Sequence, residues 1–152
     1  MDNALDLLLG TYPSWSRLVV RLALGIVFFA HGAQKVFGWF GGHGLKATVQ
    51  TFQQYLKIPP AATALAAFLE CFGGLALIVG FLARPFALGL IGVMLVAIAT
   101  VHWKNGFFLA AQPGQGNGWE YNFALIAMAL AVVIGGAGAL SIDVLLRPYG
   151  GE

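Results

Sequence analysis

An all-α fold, a polytopic membrane bundle of four transmembrane helices with an amphipathic interfacial helix between the first and second, is predicted by three observations. The chain is 59% hydrophobic and only 9% charged, against roughly 25% charged in an ordinary soluble domain. Eight basic and six acidic side chains would not cover the surface of a soluble domain of this size, whereas a lipid-facing wall needs none. Four apolar stretches, 16–37, 59–82, 85–103 and 119–138, each approach the roughly 20 residues that span a bilayer. None alternates with period 2, and each is about twice the length of a barrel strand. Helices therefore satisfy the backbone in lipid, and residues 1–152 read as a single membrane domain.

The elements follow in order. Residues 1–15 form a short leader of mixed polarity. The first span opens with Arg17 and Arg21 and continues into an apolar run. A secretory signal also begins this way, but the run is long and three further spans follow, so it reads as a retained helix. At about 100° per residue, Arg17, Arg21, His31 and Lys35 fall on one narrow face, which lipid would not accept and which should therefore look into the bundle. In "FFAHGAQKVFGWFGGHG", residues 28–44, His31, Gln34 and Lys35 lie within two turns, before a cluster of aromatics and glycines.

Residues 44–58, "GLKATVQTFQQYLKI", place Leu45, Val49, Phe52 and Leu56, with Tyr55 at the edge of the same face, at helical spacing opposite Lys46, Gln50, Gln53 and Lys57. This suits an amphipathic helix at the membrane surface, either a plain anchor or a lid. The second span carries Glu70 about 16 Å from its start, near the midplane. A carboxyl there must be paired, hydrated or protonated, with Arg21, His31 and Lys35 as candidate partners. Gly73 and Gly74 permit close approach by another helix or a flat ligand. Arg84-Pro85 predicts a tight turn before the third span, with Pro85 in the first helical turn.

His102 and Trp103 close the third span, and Trp119, Glu120 and Asn122 open the fourth. Between them, 105–118 reads as a flexible loop ending in "QPGQGNG". In the tail, 141–152, Ser141 is placed to cap a brief helix in which Asp143 and Arg147 are four residues apart. With four spans, Arg17, Arg21, Arg84 and Arg147 gather on the side of both termini and Lys35, Lys46, Lys57 and Lys104 on the other. The positive-inside count is tied; the arginines flanking the first span favour cytoplasmic termini. Trp39, Phe40, Trp103, Phe107, Phe108 and Trp119 then form the outer aromatic belt.

The candidate chemistry gathers in the outer half. Glu70 and His31 are the candidate catalytic groups, able to give or take a proton, with Arg21, Gln34, Lys35, His102, Trp119 and Glu120 as candidate substrate-binding residues. His102 and Glu120 also suit an interfacial role in contact with water. No zinc spacing, nucleophile elbow, phosphate-cradling loop or dinucleotide fingerprint occurs. No metal or nucleotide is expected, and a net charge of +2 is too slight to imply nucleic acid. Cys71 is the single cysteine, so the chain has no disulfide framework and no CxxC pair.

The blocks "RLALGIVFFAHGAQKVFGWFGG", "AAFLECFGGLALIVGFLARPFAL", "VHWKNGFF", "WEYNFALIAMAL" and "GGAGALSIDVLL", in that order and spacing, resemble the DoxX family of small four-helix bacterial membrane proteins. The resemblance covers nearly all of residues 17–148. It implies a multi-pass protein of the bacterial cytoplasmic (inner) membrane. Relatives include the DoxD subunit, associated with thiosulfate:quinone oxidation, and members linked to thiol and oxidative-stress complexes. Three functions follow as expectations. The first is a quinone-interacting component of a membrane oxidoreductase with a redox partner subunit. The second is a carrier for a small solute or proton, gated by Glu70. The third is a non-catalytic scaffold whose small-residue faces at Gly89, Gly92, Gly135, Gly136 and Gly138 pack against a partner or a second copy as a homo-oligomer.

Overall fold

The computed structural model describes residues 2–110 and 114–146. These residues are helical, with no β-strand among them. A short α1 (Asp2–Leu9) precedes α2 (Trp15–Val36), and α3 (Gly44–Thr51) runs into a π-helical turn over Phe52–Leu56. The next two helices are α4 (Pro60–Val79) and α5 (Ala83–Asn105). A π turn interrupts each, at Leu69–Gly73 in α4 and at Ile98–His102 in α5. They are followed by α6 (Glu120–Gly135) and α7 (Ile142–Leu146).

Helices α2, α4 and α5 have 22, 20 and 23 residues and mean hydropathies of 1.4, 2.0 and 2.1, long and apolar enough to cross a membrane. Helix α6 is apolar but has 16 residues, about 24 Å of rise, against a hydrocarbon core of about 30 Å. The sequence predicts this span to run to 138. It stops at Gly135 because Gly136 takes a φ of 78° with Thr11 packed so close that a Cβ would lie 2.8 Å from it. Within the bundle α2, α4, α5 and α6 run in alternating directions. Arg17 at the start of α2 bonds the last turn of α6, and Arg21 bonds the end of α4. Large apolar side chains such as Ile26, Leu65, Leu88, Leu95 and Ile134 remain exposed, forming the wall that faces lipid.

Three glycines set how the helices pack. A Cβ on Gly32 would lie 2.1 Å from the Cys71 nitrogen, and one on Gly74 would lie 2.3 Å from the Phe29 nitrogen. With Gly25 against the Gly74 carbonyl, they bring the backbones of α2 and α4 into direct contact. The core lies beside this seam, where Leu24, Phe28, Leu77, Leu90, Leu125 and Val132 are buried. Gly73 faces the other way, toward Phe86 and Leu90 of α5.

At the end holding the start of α2, arginines tie the helix termini together. The Arg21 side chain is fully buried. It donates to the carbonyls of Leu77 and Ile78 at 2.5 and 2.7 Å, of Ala137 at 2.8 Å, and of Ala139 and Leu140 at 3.2 and 3.1 Å. The first two acceptors belong to the last turn of α4, where helix carbonyls lack partners and carry the negative end of the dipole. Asp143 does the converse, accepting from the amides of Leu82 and Ala83 at 2.8 and 3.0 Å where α5 begins. Burial pushes its carboxyl up from its ordinary value, while those amides, Arg21 and Arg84 pull it down. The predicted turn at Arg84-Pro85 lies slightly earlier, through Gly80 and Leu82, whose φ values are 71° and 48°. Ser141 caps α7 by accepting from the Val144 amide at 3.2 Å. The predicted Asp143–Arg147 pair involves a residue outside those described.

Candidate functional site

At the opposite end, the close α2–α4 seam sets Lys35 beside Glu70. The Lys35 ammonium donates to both Glu70 carboxylate oxygens, at 2.6 and 2.5 Å. Glu70 is 3% exposed and the Lys35 side chain 27%, so the acid is sequestered while the amine reaches outward. The Phe52 ring lies 6.0 Å from the ammonium, within cation–π range. Of the three partners the sequence offers Glu70, the structure selects Lys35. Arg21 is 14 residues back along α2, about 21 Å, and spends its donors on backbone carbonyls.

The pair borders a cavity of about 970 Å³, open on one side and walled mainly by apolar side chains of α2, α4, α5, α6 and the α3 segment. Its size is that of a small-molecule site, in which apolar walls enclose a few polar groups that fix orientation. Two imidazoles are among those groups. His31 Nδ1 lies 2.9 Å from the Val27 carbonyl, and His102 Nδ1 lies 2.8 Å from the Asn117 carbonyl. A carbonyl only accepts, so each ring holds its proton on Nδ1. In the neutral tautomer each then presents Nε2 as an acceptor. Asn122, buried, donates to the Met94 sulfur at 3.3 Å and also lines the cavity.

All three π turns contribute to the wall: Phe52, Tyr55 and Leu56 from the first, Leu69 and Glu70 from the second, Thr100, Val101 and His102 from the third. Such turns account for well under 1% of residues in proteins and recur at functional sites, because the extra residue re-aims side chains that a regular helix would stack. In α4 the π turn is the local reason that Glu70 faces the cavity end of Lys35 while Cys71 meets Gly32.

The loop predicted to be flexible is tied down where it is described. The amides of Gly118, Trp119 and Glu120 donate to the carbonyls of Phe108, Gly106 and Phe107 at 2.8–3.1 Å. Asn117 accepts at its carbonyl from His102 and Asn105, and at its side chain from the Ala110 amide. Leu109, Asn117 and Gly118 thereby become part of the cavity wall. Trp119 stacks on Trp103 at 6.1 Å and meets Phe107 edge-on at 4.7 Å, forming an aromatic cluster at this end of the bundle.

Of the candidate residues, the structure brings Glu70, His31, Lys35 and His102 to one cavity. Gln34, Trp119 and Glu120 are near but do not line it. Gln34 donates to the Phe40 carbonyl at 3.1 Å, and Glu120 opens α6. Arg21 belongs to the other end. The surface helix 44–58 contributes Thr51, Phe52, Tyr55 and Leu56 to the wall, so it covers the cavity as well as lying along the bundle. Asn122, Tyr55 and Asn117 also line the cavity and are not among the site residues the sequence predicts. Asn122 carried a legible signal, a lone amide inside an otherwise apolar helix. Asn117, in a Gly-rich loop, carried none.

The DoxX family model matches residues 16–103, and the chain belongs to the DoxX family. Among curated proteins it is 30% identical over 130 residues to the "Putative oxidoreductase CatD" of Bacillus subtilis (strain 168), covering 83% of each chain. It is 31% identical to the inner membrane protein YqjF of Escherichia coli (strain K12), over 86% of this chain and 91% of that one. The inner membrane protein YphA of the same organism is 28% identical, over 83% and 86% of the two chains. No solved structure matches.

Proposed function

We propose that this DoxX-family membrane protein is the quinone-interacting component of a membrane oxidoreductase system of thiol, sulfur or oxidative-stress chemistry. One observation carries the reading: an apolar-walled cavity of about 970 Å³, among helices long and apolar enough to cross a membrane, that holds a Lys–Glu pair and two imidazoles. A quinone fits that donor set, with apolar walls for ring and tail and a few hydrogen-bond partners for the head oxygens. When bound, it supplies two-electron chemistry coupled to protons. Lys35 keeps an N–H for a head oxygen beyond the two it gives Glu70. His31 and His102 each hold an Nε2 able to accept a proton, and Glu70 holds the Lys35 charge in place. Phe52, Tyr55 and Leu56 form the apolar border of the cavity on the side of the surface helix.

The name of the Bacillus relative supports an oxidoreductase association, and the names of the Escherichia coli relatives support the bacterial inner membrane. In this reading both termini lie on the cytoplasmic side, and a partner subunit exchanges electrons with the bound quinone. Scaffolding through small-residue faces is less supported, since Gly89, Gly135, Gly136 and Gly138 each meet atoms of their own chain. The test is mass spectrometry of lipids co-purifying with detergent-solubilised protein. Quinone enriched in the wild type and depleted in Glu70→Gln is the expected result. Equal background quinone in both would overturn the assignment.

A further inference from the structure

A second pocket lies at the arginine end, away from the Lys35–Glu70 cavity. It has a volume of about 280 Å³ and is lined by Thr11, Tyr12, Arg17, Arg84, Ile134 and Gly135. Two guanidinium groups thus share one small polar space, and Asp143, whose carboxyl is pushed up by burial and pulled down by Arg84, is not among the residues lining it. Among the described residues, each guanidinium is anchored by one bond. Arg17 Nη1 donates to the Gly135 carbonyl at 2.7 Å, and Arg84 Nη2 donates to the Gly10 carbonyl at 2.9 Å. A guanidinium carries five N–H donors, so the anchors fix the planes and leave donors over. Among the described residues, the buried side-chain nitrogen with no hydrogen-bond partner is Arg84 Nε. Buried donors are rarely left without acceptors, and here the deficit falls on a residue that lines a cationic pocket.

Position supplies the second argument. Arg17 lies in the first turn of α2 and Arg84 in the first turn of α5, where a spanning helix leaves the hydrocarbon. That is the depth of lipid phosphates. The one aliphatic side chain in the lining, Ile134, is 77% exposed, so an apolar, lipid-facing surface begins at the edge of the pocket. Two fixed guanidinium forks suit the oxygens of a phosphate group, and basic pockets between transmembrane helices on the cytoplasmic side suit anionic headgroups.

We infer that the pocket between Arg17 and Arg84 binds a phosphate group, carried by an anionic phospholipid or free as inorganic phosphate. The site is independent of the quinone reading. Its purpose in the fold is to pin the α1–α2 connection and the starts of α2 and α5 to the membrane boundary.

The test uses the full chain in neutral detergent. Native mass spectrometry compares retention of phosphatidylglycerol with that of phosphatidylcholine, and thermal unfolding compares sodium phosphate with sodium chloride at matched ionic strength. The expected result is preferential retention of phosphatidylglycerol, reduced about fivefold for each arginine replaced in Arg17→Gln and Arg84→Gln. Lys46→Gln/Lys57→Gln, which removes two charges at the other end, should leave the preference intact. Stabilisation by inorganic phosphate without lipid preference would assign the same chemistry to a free anion. Equal retention of both lipids with no phosphate effect in the wild type would overturn the inference, even where the glutamine variants fail to fold. So would a preference unchanged in well-folded glutamine variants.

Discussion

The two polar regions of this bundle are built on opposite rules. At the arginine end, Arg21 is buried and its donors are consumed by five backbone carbonyls, so the charge closes helix ends that would otherwise carry unmet acceptors. At the other end, Lys35 and Glu70 satisfy each other and leave a cavity of about 970 Å³ beside them. Both are charges inside helices long and apolar enough to cross a membrane, a placement that by itself points to function. The difference is in what they face. A cation whose acceptors are all main-chain carbonyls is a structural joint, and an ion pair on a cavity wall is available to a ligand.

Replacement of Arg21 should give the largest effect. Arg21→Met leaves several carbonyls without a donor, at about 1–3 kcal/mol for each buried group left unsatisfied. We expect failure to accumulate as a folded protein, or a loss of that order in SDS-induced unfolding. No apolar partner change should rescue it, because the acceptors are backbone. Lys35→Met comes next, with a loss approaching about 3 kcal/mol, since it strands a carboxyl that is 3% exposed. Here rescue is expected: apolar replacement of both members of a buried pair is often neutral. Lys35→Met/Glu70→Leu should recover most of the lost stability, with a coupling energy of at least about 1 kcal/mol in the double-mutant cycle. Zero coupling would remove the distinction between the two ends.

Smaller effects sharpen the comparison. Gly92 lines the cavity, and a Cβ there meets nothing within 4 Å. Gly92→Leu should therefore fill the cavity without strain and gain up to about 1 kcal/mol of helix propensity, while bound quinone in the purified protein falls severalfold. Gln34→Ala should be smallest, within about 0.5 kcal/mol, because its bond to the Phe40 carbonyl is solvent-exposed and it lies outside the cavity wall.

Much of this arrangement was legible in the sequence. Apolar runs and sparse charge mark the helices, and the helical period places Arg17, Arg21, His31 and Lys35 on one inward face. Glu70 stands out as an acid far from either end of its span. Periodicity does not say how deep each residue of that face sits or which neighbour it meets, so Arg21 and Lys35 look equivalent as partners for Glu70. The choice is made by Gly25, Gly32 and Gly74, whose missing side chains set the register of α2 on α4. Glycine in an apolar run carries no sign of which helix it will touch. The π turns are equally silent in the sequence, yet they aim Glu70, Tyr55 and His102. The early end of α6 was partly visible in "GGAG". The hydrogen bonding of the described residues in 105–118 was not, since it depends on Asn117 meeting His102 across 15 residues.

The most direct test of the central claim, that the Lys35–Glu70 end is a ligand site and not a second structural joint, is the quinone content of Lys35→Met/Glu70→Leu, measured by mass spectrometry on protein shown to be folded. Near wild-type stability with bound quinone reduced to the detergent background is the predicted result. Quinone retained at the wild-type level in that folded variant would contradict the account.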